Sequence, residues 1–193
     1  MTCGICDSLS VAKIGNRIEV SDHLQLHERY LEELREIRIR WPLIHLIEVT
    51  LRNKIAGAIV ERFGTGFFLY DSPPLGRSEL RKLTLSRSLV HPQDLNGVIS
   101  NLPMGFWLSL LTKRYESTLW GTALHQIFSS STRASRTQIH EEFRRIWLLR
   151  NRIAHQELIL HRADLPGFFS LAATLVRLEP EFGGTLFTLH PVE

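Results

Sequence analysis

From Ser21 to Phe63 the chain reads as helix throughout. Apolar residues recur three and four apart in SDHLQLHERYLEELREIRIRW and again in LIHLIEVTLRNKIAGAIVERF. A face repeating every 3.6 residues must be buried against another face of the same kind, so this stretch alone obliges helix-on-helix packing. Ser21 is a helix-capping residue type, Pro42 suits the first turn of a new helix, and Gly64 suits a C-terminal stop. The expectation is therefore two helices, one closing at Trp41 and the next opening at Pro42.

The rest of the chain keeps the pattern. TGFFLYDSPPLGRS is turn-rich and reads as a loop, SELRKLTLSRSLV as a third helix and PQDLNGVIS as a short fourth. MGFWLSLLTKRYESTLWGTALHQIF carries one or two helices with a dense apolar and aromatic face. SSSTRASRT is a polar linker or helix entry, Thr137 can cap the helix that follows, and Pro166 begins a last helical stretch. No strand-like alternation persists long enough to build a sheet. The fold class is all-α: one domain over residues 21–179, with a poorly defined N-terminal segment 1–20 and a C-terminal tail 180–193.

Composition narrows the function classes. No apolar run approaches the roughly 20 residues that cross a bilayer, and the first twenty residues lack the long apolar core of a secretory signal. The expectation is a cytoplasmic protein without a membrane partner. Cys3 and Cys6 form a lone CxxC with no second ligand pair at zinc-binding spacing, so no metal or other cofactor is expected. Of the 23 basic residues 19 are Arg, whose planar fork suits bidentate phosphate contacts, although genomic base composition also enriches Arg. A net charge of +3 is weak for a duplex-DNA binder, and no distinct recognition helix stands out.

Chemistry concentrates in one heptapeptide. LRNRIAH (Leu149–His155) nearly repeats LRNKIAG (Leu51–Gly57), with five of seven positions identical and Gly57 replaced by His155. In the second copy the apolar stripe is read as Ile139, Phe143, Ile146, position 150 and Ile153, so Arg150 stands where an apolar residue belongs. A guanidinium there needs an anion, and an internal Glu, a partner helix or a bound phosphate can each supply it. His155 lies five residues on, about 140° around an ideal helix. Asn151 shares its face at i,i+4 and can orient the imidazole or bind a phosphate oxygen. Histidine moves protons near neutral pH and Arg stabilises phosphorane charge without a metal, which together suit RNA cleavage by the adjacent 2′-OH. The plainer reading has His155 as a helix-end surface residue and Arg150 as a snorkelling side chain.

LRNRIAHQE resembles the Arg-x4-His signature of HEPN domains, in the RNRIAH form of Abi-like proteins from bacterial abortive-infection and toxin systems. Two further segments are similar in the same order: LIEVTLRNKI (Leu46–Ile55) to LEVxLRN, and MGFWLSLLTKRYESTLW (Met104–Trp120) to FGFWxxLLxRRYExxLW. The likeness covers about Ser21 to Leu160. It implies a HEPN-type helical bundle with additional helices, a homodimer whose two motifs meet in one composite site, and a metal-independent endoribonuclease with Arg150, Asn151 and His155 as its catalytic residues. An antitoxin protein is then a further expected partner, beside the RNA substrate, in antiviral defence. The chain departs from that pattern: Gln156 replaces a second His, which bears against any mechanism with two histidines per subunit, Leu158 replaces Pro, Met104 replaces Phe, and the stretch after Ala163 matches only weakly.

Around the motif, Arg144, Arg145 and Arg152 can grip an RNA backbone or form an ordinary solvated face, and Arg52 is a further candidate. Glu48 and Arg52, at i,i+4 in the favourable order, are expected to form a structural ion pair near the site. Trp107, Tyr115 and Trp120 can stack on bases, but at helical spacing they read as core. The competing function is a non-catalytic HEPN module that binds RNA or a protein partner.

Overall fold

The computed structural model describes residues 23–129, 134–160 and 162–183. The expectations for Cys3 and Cys6, for the segment 1–20 and for most of the tail fall outside these residues. Among the described residues there are helices and no strand. In order they are α1 (His23–Phe63), α2 (Gly66–Leu69), α3 (Arg77–Ser88), α4 (Leu95–Asn101), α5 (Met104–Leu110), a 3₁₀ turn (Lys113–Tyr115), a π-helical segment (Glu116–Leu124), α6 (His125–Ser129), α7 (Arg136–Ala154), α8 (Phe168–Leu178) and a last 3₁₀ turn (Pro180–Gly183).

The first correction is at Pro42. Instead of two helices, α1 is one helix of 41 residues with Pro42 inside it, about 60 Å long at 1.5 Å per residue. Proline within a helix removes one hydrogen bond and crowds the preceding turn, costing about 3 kcal/mol. Six side chains C-terminal to it, Leu43, Ile44, Ile47, Leu51, Ile55 and Ile59, are at most 1% exposed. Each contributes about 1.5–3 kcal/mol by burial, so the core interactions outweigh the local penalty. The N-terminal half is held separately: the Glu33 carboxylate, 5% exposed, accepts N–H bonds from Ile159 and Leu160. With both halves anchored, a break at Pro42 would gain nothing. The helix ends where expected, at Gly64, whose φ of +80° is glycine's own region.

α1 is the spine of the molecule. It packs most extensively along α8 and also meets α2, α5, α6, α7 and the π-helical segment. The stretch read as a loop holds α2, which docks Phe67 and Phe68 into the core. Arg87 fastens it from α3, donating to the carbonyls of Phe68 (2.6 Å), Phe67 (3.0 Å) and Asp71 (3.0 Å). The short fourth helix is capped by Asp94, whose Oδ1 accepts from Gly97 N–H at 2.8 Å.

The aromatic segment from Met104 is broken by the 3₁₀ and π-helical turns rather than forming one smooth helix. Its large side chains are core. Trp107 and Tyr115 are 1% and 2% exposed, and Trp120 stacks on Phe128 with centroids 5.7 Å apart. The Tyr115 hydroxyl accepts from Gly76 N–H (2.8 Å) and donates to Glu79 Oε2 (3.0 Å), and burial raises its pKa. A Cβ at Gly76 would lie 2.6 Å from Glu79 Oε2 and 2.7 Å from Arg114 Nη1, so both side-chain tips would have to move aside. Base stacking by these rings is thereby excluded for Trp107 and Tyr115.

Candidate functional site

α7 carries the heptapeptide, and its start is set by Ser135 rather than by Thr137. Ser135 Oγ accepts from Gln138 N–H (3.3 Å) while Gln138 Oε1 accepts from Ser135 N–H (2.8 Å), a reciprocal capping box. Thr137 has no Glu or Gln three residues on to complete one. The buried stripe then runs Ile139, Phe143, Ile146 and Leu149, each at most 1% exposed. This corrects the expected placement of Arg150. The stripe turns through Leu149 at a step of three, and Arg150 stands on its margin, half-buried.

Arg150 does meet an anion, and it is an internal one. Its Nε is sealed from water and lies 3.5 Å from Oε2 of Glu48 on α1. That contact is Coulombic attraction without a hydrogen bond. The i,i+4 ion pair expected within α1 does not form: Glu48 turns across to α7, and Arg52 Nε donates to Asn53 Oδ1 at 3.1 Å. Leu51 on α1 and Leu149 on α7, both 0% exposed, belong to one buried core in which these two helices meet.

His155 closes α7. Its N–H donates to the Asn151 carbonyl at 2.9 Å, and the next two residues complete a Schellman turn: Gln156 N–H to Ile153 O (3.0 Å) and Glu157 N–H to Arg152 O (2.8 Å). Gln156 sits at φ 56°, the left-handed position where glycine is usual. The contact that normally buttresses such a turn is hydrophobic, whereas here it is the Arg152–Glu157 ion pair at 2.9 Å. Beyond it, Ile159 and Leu160 are tied to Glu33 of α1. The turn is therefore pinned on both sides, and the exposed His155 side chain projects from a backbone with little freedom.

The other candidates are dispersed. Arg144 pairs with Glu141 (3.2 Å) on an exposed face, and Arg145 donates twice to the Asp164 carbonyl (3.0 and 2.8 Å), clasping the loop that leads to α8. Arg152 belongs to the helix cap, and Asn151 is half-buried. The structure thus brings together Arg150 with Glu48, and Asn151 with His155 through their backbones, while Arg52, Arg144 and Arg145 attend to other partners. Glu33 was missed by sequence reasoning. It is one Glu in an ordinary amphipathic helix, and its partners are backbone N–H groups 126 residues away, which leave no signal in composition or spacing.

The two heptapeptide copies share a frame and differ in task. Leu51 and Leu149 are equally buried, Lys54 pairs with Glu179 (3.2 Å), and Arg152 pairs with Glu157. Gly57 lies mid-helix, whereas His155 lies at a helix end. A depression of about 270 Å³ between α7 and α8 is lined by Gln138, Glu142, Arg145 and Ser170 among others, with neither Arg150 nor His155 in its wall. No helix among the described residues is long and apolar enough to cross a membrane. Compared with family models, curated proteins and solved structures, the chain matches none. The family likeness rests on the three quoted segments alone.

Proposed function

We propose that the chain is a metal-independent endoribonuclease of the HEPN type, an abortive-infection or toxin effector of bacterial defence that works as a homodimer. The observation that carries the reading is the end of α7. It presents an exposed imidazole at His155 and, five residues earlier, a guanidinium whose only ion-pair contact among the described residues is through its inner edge. In the reaction, His155 takes the proton of a ribose 2′-OH, the O2′–P bond forms and the P–O5′ bond breaks. Arg150 stabilises the charge on the non-bridging oxygens, and the leaving 5′-oxygen takes a proton from the second copy's His155. The products are a 2′,3′-cyclic phosphate and a 5′-hydroxyl.

Self-association is supported by α1. Tyr30, Leu31, Leu34 and Trp41 are 37–51% exposed along its N-terminal half. Charged residues of both signs are exposed on the same half of the helix, Glu28, Arg29, Glu32, Arg35 and Arg38. An exposed apolar stripe of this size is a surface that a second copy can cover. Two of its members, Leu34 and Trp41, fall in sequence between Glu33, which holds residues 159–160, and Glu48, which contacts Arg150.

The test is incubation of the purified protein with tRNA and total RNA in EDTA. Cleavage leaving 2′,3′-cyclic ends is expected, falling about 10²–10⁴-fold in His155→Ala and also lost in Arg150→Ala. A folded dimer that cuts no RNA would speak for the second reading, a non-catalytic module binding RNA or a protein such as an antitoxin. That reading draws on Arg144, Arg145 and Arg152 already being engaged within the chain. Under it, growth inhibition on induction would survive His155→Ala.

A further inference from the structure

We infer that Glu48 is a positioning residue for Arg150: it holds the guanidinium by its Nε edge so that the Nη1 and Nη2 edge stands open to a phosphodiester. The inference rests on the ribonuclease reading and adds to it a residue from a different helix.

Three observations converge on this role. Arg150 has one polar contact among the described residues, the ion pair of its Nε with Glu48 Oε2 at 3.5 Å, and its Nε is buried without a hydrogen bond. Its two Nη groups carry no hydrogen bond and are not sealed, and the side chain as a whole is 37% exposed. The guanidinium is thus divided into an inner edge facing a carboxylate and an outer edge with four N–H donors toward solvent. That outer edge presents a parallel N–H pair that matches the oxygens of a phosphate.

The second observation is rigidity. Glu48 follows Ile47, which is 0% exposed, and Arg150 follows Leu149, also 0% exposed. Both charged side chains therefore hang from buried, well-packed stretches of backbone, and the Arg stem meets a carboxylate whose own backbone is held in place. The third is contrast within the chain. The equivalent Arg52 spends its Nε on the neighbouring Asn53, and Arg145 spends Nε and Nη2 on a carbonyl. Arg150 alone of these three has its inner edge restrained by a carboxylate and its outer edge unspent.

A restraint of this kind acts on turnover rather than on capture. The Glu48 carboxylate repels a phosphodiester weakly, so removing it does not weaken RNA binding, but it releases the guanidinium from the geometry the transition state needs. In Glu48→Gln, kcat is expected to fall about tenfold to hundredfold while KM stays within about threefold, at unchanged helicity and melting temperature. The decisive readout is chemical rescue. Methylguanidinium should restore cleavage to Arg150→Ala when Glu48 is present to hold it, and should fail in Arg150→Ala combined with Glu48→Gln. Equal rescue in both, or a Glu48→Gln enzyme with the wild-type kcat while His155→Ala is inactive, overturns the inference and leaves the ribonuclease reading standing. If the wild type cuts no RNA, that reading falls, and side-chain NMR of Arg150 decides the remainder. A slowly exchanging Nε–H lost in Glu48→Gln, with Arg150 resonances that shift on adding a 2′-deoxy oligonucleotide, supports the role. Resonances indifferent to both overturn it.

Discussion

Gln156 shows what a single residue contributes to the placement of His155. The Schellman turn after α7 needs a left-handed residue, and Gln156 adopts φ 56° to supply it. A non-glycine side chain there carries steric strain of about 1–2 kcal/mol, against which glycine's larger entropy in the unfolded chain counts about 0.5–1 kcal/mol. Gln156→Gly is therefore expected to stabilise the protein by about 0.5–1 kcal/mol, a rise of roughly 1–4 °C in melting temperature. Thermal unfolding followed by circular dichroism checks it, and a fall in the melting temperature would mean that the Gln side chain itself holds the turn. In the sequence Gln156 stood only as a missing second histidine, because nothing in HQEL announces a positive φ.

At the scale of elements, α1 and α7 show where reading by periodicity succeeds and where it slips. The existence of both helices was legible, as was the stop at Gly64, since each follows from spacing and local backbone preference. The break at Pro42 was not borne out, because anchoring on both sides of the proline overrides a local penalty. Pro42 is exposed, so replacing it removes no packing and restores a helix hydrogen bond. Pro42→Ala is expected to stabilise α1 by about 1–2 kcal/mol, net of the entropy proline removes from the unfolded chain. Chemical denaturation, read as a higher midpoint at unchanged slope, measures it, and a lower midpoint would show that the proline shapes the helix for packing. On α7, reading the stripe through position 150 instead of Leu149 was an error of one residue. Steps of three and four fit a helix equally well, and only the observed burial separates them.

For the whole molecule, the exposed stripe on α1 carries the prediction. Four large apolar side chains on the half of α1 that extends beyond the buried cluster make a surface that a second copy can cover. The wild type is expected to sediment as a dimer, and Leu34→Glu, which leaves the core from Leu43 to Leu178 untouched, as a folded monomer. Sedimentation velocity reads the outcome, and a Leu34→Glu dimer as tight as wild type would assign self-association to another face.

By itself the sequence determined the all-α class and most of the helices, because helical period is a local property that needs no partner. Only the tertiary structure decided which charge faces which. Glu48 turned from its helical neighbour Arg52 to Arg150, and Glu33 found the backbone beyond His155, because buried leucines and isoleucines fix the helices in a register that no spacing rule encodes.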